Sequence, residues 1–188
     1  MLKDLILVNR SYRRFYQEIT VDTGTLVELI DLARLSASGG NLQPLKYIIS
    51  NNTERNELIF QCLSWAEYLK DRAKPEEGEK PAAYIIVLGD KDISHSFQIE
   101  AGIASQSILL GAAEKGLGGC IIASIDKVEL QKKLNIPEKY EIILVLAIGK
   151  SKEKVIIEKV HNGNIKYWRD DMGFHHVPKR SLEEIIIC

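Results

Sequence analysis

Cysteine is scarce and scattered. The 188 residues hold three, Cys62, Cys120 and Cys188. They are too far apart for a metal-ligand spacing, and their odd, sparse count argues against a disulfide framework and for a reducing compartment. Histidine is nearly as rare. His175-His176 has no third ligand at metal spacing, so no metal centre is expected and both rings read as solvated or hydrogen-bonded. An excess of charge is also missing: 25 basic against 26 acidic residues leave a net charge of −1. No basic face or tail stands out, which argues against a nucleic-acid partner. The longest aliphatic run, residues 142–148, is too short to cross a bilayer. Met1-Leu2-Lys3-Asp4 carries charge at once, unlike a secretory leader. Repeats, low-complexity tracts and domain boundaries are absent too. The expectation is a soluble, cytoplasmic single domain over 1–188, with no membrane association. A chain that is 45% hydrophobic and 27% charged is long enough to bury a good core.

What the sequence does have is a dense N-terminal cluster, Asn9-Arg10-Ser11-Tyr12-Arg13-Arg14-Phe15. Arginine presents a rigid fork of donors that matches a phosphate, and serine adds a short one. Tyr12 and Phe15 are apolar anchors for such a stretch. It reads as an anion clamp on a packed scaffold, against the alternative of a solvated basic turn.

Periodicity organises the rest. Residues 2–8 read as a short helix. Leu26, Leu29, Ile30 and Ala33 follow at helical spacing, with Asp22 or Thr23 as the cap. Residues 36–44 are a loop by composition and 46–50 a strand. A helix is expected from Asn52 or Thr53 to about Leu69, with Ile59, Leu63 and Ala66 on one face. The charged stretch 70–81 is the best candidate for a flexible lid. Residues 83–89 read as a buried central strand. Residues 96–116 form a helix that is apolar or small all round from 101 to 113, and such a helix is expected to be buried on every side, in a dimer or a core. Gly116, Gly118 and Gly119 end it, and a strand over 120–123 follows. Asp126 with Glu129 resembles a capping pair for a helix to Leu134, and 140–149 is a second buried strand. Asn162-Gly163 predicts a hairpin between 155–160 and 164–168. The tail ends on an aliphatic stretch, 185–187.

A second stretch gives the clamp a context: Ser36-Ala37-Ser38-Gly39-Gly40-Asn41-Leu42-Gln43-Pro44-Leu45. Together with Arg10-Ser11-x-Arg13 and Gly116-Leu117-Gly118-Gly119-Cys120, in the same order over nearly the whole chain, it resembles the nitroreductase family of FMN-dependent oxidoreductases. Ser11 and Arg13 match the family pattern Arg-x-Ser-x-Lys/Arg, whereas Asn9 departs from its first basic residue and Arg10 can supply that charge. Ser38, Asn41, Gln43 and Pro44 match the second pattern, while Ala37 and Leu45 stand in place of its proline and tryptophan.

The resemblance implies a three-layer α+β fold, a mixed central sheet flanked by helices, in an intertwined homodimer with FMN at the interface. Arg10, Ser11 and Arg13 would face the phosphate and the pyrimidine side, with Arg13 as the cation near N1. Ser38, Gly39 and Asn41, with Gln43 in the same loop, would come from the other chain. Residues Ile121 to Ser124, with Ile122, Ala123 and Ser124 as the cofactor contacts, would pass the N5 edge, and Lys179 and Arg180 would be the C-terminal phosphate-binding pair. Gly39, Gly118 and Gly119 would let backbone approach the flat ring. The implied reaction is ping-pong: NAD(P)H gives a hydride to flavin N5, and a small organic acceptor such as a nitroaromatic or quinone then takes it. No side chain need act as acid, base or nucleophile, because the flavin carries the chemistry. The competing readings are a flavin-binding storage or sensor protein without efficient turnover and, more weakly, a structural dimer. Cys120 reads as a buried thiol and Glu100 as a helix-dipole residue. Trp65 and Tyr68 fit either a place beside the ring or the core.

Overall fold

The computed structural model describes residues 1–65, 68–69 and 74–187. Its centre is a four-stranded sheet of β1 (Leu45–Ser50), β2 (Ala83–Asp90), β3 (Gly118–Ile122) and β4 (Tyr140–Gly149), in the order β1-β2-β4-β3. Neighbouring strands run antiparallel. A parallel bridge from Ser11 to Gly119 extends the sheet beyond β3 and makes it mixed at that edge.

All eight residues of β2 are buried, which is why the strand reads as an unbroken apolar run. Its alternate side chains serve two cores. Tyr84, Ile86 and Leu88 pack with Ile59 and Phe60 of α3 (Thr53–Gln61) and Leu130 of α5 (Lys127–Lys133). Ala83, Ile85 and Val87 pack with Leu26 and Leu29 of α2 (Thr23–Arg34) and Ala104 and Ile108 of α4 (Gln98–Glu114). The result is the expected three-layer arrangement of helices, sheet and helices. Local signals set the helix starts: Asp22, Asn52 and Asp126 each accept a hydrogen bond from a backbone N–H three residues on, at 2.9, 3.1 and 3.0 Å. Gly116, at φ 70°, closes the last turn after α4. The short α1 (Leu2–Val8) rests on α4.

The structure corrects two expectations. First, α3 stops at Gln61 instead of continuing to Leu69. Leu63 bridges Ile125, the Ser64 N–H donates to the Ser124 carbonyl at 3.0 Å, and the Asp126 N–H donates to the Cys62 carbonyl at 2.9 Å. Extended pairing therefore displaces the helix and carries Leu63 and Trp65 into the core. Second, the 155–168 hairpin is only a turn. Asn162 and Gly163 are left-handed, and His161 bridges Asn164. Beyond that turn, β5 (Val155–Lys159) and β6 (Trp168–Arg169) both pair with β7 (His175–Lys179), which lies between them, parallel to β5 and antiparallel to β6. His176 favours this order. It stacks on Trp168 at 4.9 Å, and its Nδ1 lies 2.8 Å from Glu158. Within this one chain α4 is covered on one side and leaves a ridge in the open, with Ile99 74% exposed and Gly102, Ile103 and Gln106 also exposed, so burial on every side would take a second copy. The lid candidate is held at its C-terminal end. The N–H groups of Gly78 and Lys80 donate to Gln17 Oε1 at 2.8 and 3.1 Å, and that of Phe15 donates to the Glu79 carbonyl at 3.0 Å. Residues 70–73 of that stretch, the expected helix-face residue Ala66, and Cys188 lie outside the described residues.

The glycines after α4 are also used differently from expectation. A Cβ on Gly118 would meet the Tyr12 ring at 2.5 Å, and one on Gly119 would meet Leu109 at 2.5 Å and the Ala147 carbonyl oxygen at 2.7 Å. Their space belongs to the protein's own side chains and backbone, so they seat the N-terminal stretch against β3 and are not openings for a flat ring. Gly119→Ala should therefore destabilise the fold by about 1–3 kcal/mol, because the Ala147 carbonyl cannot swing aside. Urea unfolding checks this, and a midpoint equal to that of the parent would contradict it.

Candidate functional site

The arginine stretch is fixed by one carboxylate. Glu153 has a side chain only 3% exposed, and it accepts from the backbone N–H groups of Arg13 and of Arg14, the latter at 3.2 Å, and from the Arg169 guanidinium. Phe15 is fully buried, Tyr12 packs on the core, and the Tyr12 hydroxyl donates to the Val8 carbonyl at 2.7 Å. The two aromatics anchor the stretch as its sequence suggests. Arg14 turns away from its neighbours and pairs with Glu79 at 3.2 Å, so only two of the three arginines remain for a ligand.

Those two face a cleft of about 280 Å³. Arg10, Ser11, Arg13 and Lys179 supply its polar wall, and Leu109, Ile121 and Val177 its apolar wall, with Asn9, Gln106, Tyr167 and His175 completing it. Among the described residues three cations and no carboxylate line it, so its chemistry suits an anion carried on an apolar body. Arg13 lies over the Tyr167 ring at 5.0 Å from its centre, and Tyr167 meets His175 edge-on at 5.3 Å. Tyr68 packs on Tyr167 at 5.0 Å, one ring removed from the cleft, whereas Trp65 is buried against Phe60 in the core.

His175 departs from expectation. It is neither solvated nor, among the described residues, hydrogen-bonded: the residue is 1% exposed, and neither ring nitrogen has a partner there. Burial, with Arg13 and Arg169 nearby, pushes its pKa down to about 4 against the opposing pull of Glu153, so the ring is neutral. His176 is bonded as expected, with its pKa raised chiefly by Glu158 and further by Asp170.

The other expected residues are dispersed. Ser38 and Gln43 line a separate hollow with Glu100, Ala104 and Tyr47, and that hollow shares no residue with the cleft. Gly39 and Asn41 sit in the same loop, where the Gly39 N–H donates to Glu100 Oε1 at 3.2 Å. Glu100 thus holds this loop as well as opening α4. Gly40, Asn41 and Gln43 all have left-handed backbones, at φ 57, 55 and 50°. Hydrogen bonds from the Gln43 side chain to Asn41 and from the Gln43 N–H to Ser38 Oγ hold this costly conformation. Ile122 points into the core, whereas its neighbour Ile121 faces the cleft. Ala123 and Ser124 are exposed beyond the end of β3, and Arg180 pairs with Glu184 at 3.3 Å outside the cleft. Cys120 is buried, and burial raises its thiol pKa, as expected of a structural thiol. Among the described residues no group of side chains could hold a metal ion, and no helix is long and apolar enough to cross a membrane.

Removing the charge of Glu153 should disturb the whole assembly. Glu153→Gln is expected to cost about 3 kcal/mol, the scale for breaking a buried ion pair that also holds backbone donors. A thermal or urea unfolding midpoint within error of the parent would show that the carboxylate does not organise the stretch.

The comparisons agree with this architecture. The model of the nitroreductase family matches residues 6–150. YodC of Bacillus subtilis (strain 168), whose name assigns it provisionally as an NAD(P)H nitroreductase, is 22% identical over 191 residues, covering 86% of this chain and 92% of its own. A nitroreductase family protein from Streptococcus pneumoniae TIGR4 superposes with a TM-score of 0.72 at 17% identity, covering 100% of both chains. An FMN-dependent nitroreductase from Clostridium difficile R20291 gives 0.66 at 24% identity, covering 84% of this chain and 90% of its own. With more than half of its length matched by the family model and the same fold in these structures, the chain belongs to the nitroreductase family.

Proposed function

We propose that this chain is an FMN-dependent oxidoreductase that draws reducing equivalents from NAD(P)H and passes them to a small organic acceptor, such as a nitroaromatic or a quinone. The observation that carries the reading is the cleft itself: Arg10, Arg13 and Lys179 beside Ser11, no lining carboxylate among the described residues, and apolar walls at Leu109, Ile121 and Val177. FMN pairs a dianionic phosphate with a flat, apolar ring, and these residues fit both halves. The names of relatives support the same cofactor and the same electron donor.

When bound, FMN supplies the redox chemistry, alternating between nicotinamide and acceptor in the same site. The protein's own residues bind, orient and neutralise. Arg10, Ser11 and Lys179 hold the phosphate. Arg13, with its backbone fixed by Glu153, presents a cation to the pyrimidine edge, where negative charge accumulates on reduction. Lining side chains offer no carboxylate and no thiol to act as acid, base or nucleophile. We place Ser38, Gly39, Asn41 and Gln43 in the site of a second copy, and Ile122 to Ser124 along the flavin edge through their backbone. Arg180 serves the phosphate end if it leaves Glu184.

The dimer rests on α4. Glu100 and Ala104 border the loop hollow, and Gln106 and Leu109 border the cleft. At a rise of about 1.5 Å per residue the two places lie within about 14 Å along one helix. The exposed ridge of Ile99, Gly102, Ile103 and Gln106 lies on the same helix. Packing two such ridges together covers apolar surface and brings the loop of one copy toward the cleft of the other. A cytoplasmic, reducing setting suits the buried free thiols of Cys62 and Cys120.

Titration with FMN tests the site. Arg10→Ala and Arg13→Ala should each weaken binding about ten- to a hundredfold, the value of one charge-assisted contact, about 1.5–3 kcal/mol. Arg14→Ala, which removes the same charge outside the cleft, should leave affinity unchanged. Equal affinity in all three variants would refute the clamp. Anaerobic bleaching of the bound flavin by NADH or NADPH, followed by reoxidation with an acceptor, separates an enzyme from a flavin store. The dimer has its own measurement: sedimentation at low micromolar concentration should reveal no monomer, and a folded, FMN-bound monomer would overturn the shared site.

A further inference from the structure

The cleft offers donors in abundance. Arg10, Arg13 and Lys179 only donate, and Ser11 lies at its exposed rim. Acceptors are few, and among them is His175, whose ring is buried and whose two nitrogens have no hydrogen-bond partner among the described residues. Buried polar groups in folded proteins are overwhelmingly bonded, so an orphaned imidazole on the wall of a ligand cleft calls for an explanation. Glu153 determines which nitrogen is free. Its Oε1 lies 3.8 Å from Nδ1, which draws the proton of the neutral ring to Nδ1 and leaves a lone pair on Nε2. Arg13 and Arg169 oppose a second proton. Tyr167, edge-on at 5.3 Å, fixes the ring from the side.

We propose that His175 is a positioning residue for the flavin, its Nε2 accepting a hydrogen bond from a neutral O–H or N–H group of the bound molecule. The inference rests on the reading of the cleft as the FMN site. A flavin has such donors in two places, the hydroxyls of its ribityl chain and the imide N–H of its ring, and its phosphate dianion has none. A ligand that brings the donor satisfies a group the folded protein leaves unsatisfied. The cleft thereby selects for more than charge: an inorganic phosphate dianion meets the cations but leaves Nε2 bare.

The test uses the whole 188-residue chain and four measurements. His175→Phe keeps the ring volume and its contact with Tyr167 but removes the acceptor, and should weaken FMN binding about tenfold by fluorescence titration. His175→Gln places a carbonyl oxygen near the Nε2 position and should restore affinity to within about threefold of the parent. In the parent protein, labelled at the histidine nitrogens, the Nε2 resonance should move upfield when FMN is added, a response that a purely structural ring would not give. Lumiflavin, which has the ring imide but no ribityl chain, separates the two sources: a loss shared by lumiflavin and FMN assigns the imide, and a loss confined to FMN assigns a hydroxyl. If the parent binds FMN and folded His175→Phe binds it equally well, the inference fails while the flavin reading stands. If His175→Gln is folded and as weak as His175→Phe, the acceptor role fails. If His175→Phe does not fold, the resonance decides, and an unmoved signal overturns the proposal. A parent that binds no FMN sinks the flavin reading and the inference with it.

Discussion

The carboxylate of Glu153 is the point at which this structure is tied together. It is nearly out of solvent, and it receives two backbone N–H groups of the arginine stretch and the guanidinium of Arg169, with His175 close by. A buried charge of this kind is tolerable only when its lone pairs are fully used, and here they are used by segments far apart in sequence. The stretch at residues 9–13, the start of β5 and the β6–β7 region are thereby held in one geometry. Arg13 and Arg14, adjacent in sequence, then follow opposite paths: one lies over Tyr167 above the cleft and the other meets Glu79 behind it. The positive face of the cleft depends on this negative charge just behind it. Without Glu153 the guanidinium groups would repel one another in a small volume.

Much of the scaffold was legible because its signals are local. Helix starts show as Asp22, Asn52 and Asp126 before apolar spacing, and the central strands show as runs that must be buried on both faces. Where expectation failed, a distant partner had won. The α3 helix ends early because the backbone after Cys62 finds strand partners at Ser124 and Ile125. The Asn162-Gly163 turn forms as its residues require, but a turn specifies only its immediate neighbours, and β7 takes the place between the two arms. Pro178 concealed that strand, since proline within a run argues against a central position. In a parallel pairing with β5 it is accommodated opposite Glu158.

The candidate site divides along the same line. Arg10, Ser11 and Arg13 were visible from their density, and the structure brings them together with Lys179, some 166 positions beyond Arg13 in the sequence. Gln106, Leu109, Tyr167, His175 and Val177 were missed. One signal could have found part of this set: His175, Val177 and Lys179 alternate at the two-residue period of a strand, which turns all three to one face. Nothing local could have revealed Tyr167 as the ring beneath Arg13, because their approach is a product of tertiary pairing alone. Gly118 and Gly119 teach the converse lesson. A glycine pair near a supposed cofactor suggests open space, yet here Tyr12, Leu109 and a carbonyl fill it.

The small sheet of β5, β7 and β6 follows the last residue matched by the family model, yet it supplies Tyr167, His175, Val177 and Lys179 to the cleft. This order of the chain has a consequence for synthesis. A ribosome delivers the arginine stretch well before β7, so the cleft stays unfinished while the residues between them are made. The central sheet can close once β4 has emerged, but β5 must wait for a parallel partner that arrives later in the chain, and pairing over such a separation is slow. The cleft is therefore completed only after the central sheet, when β7 has reached β5 and carried His175, Val177 and Lys179 to its wall.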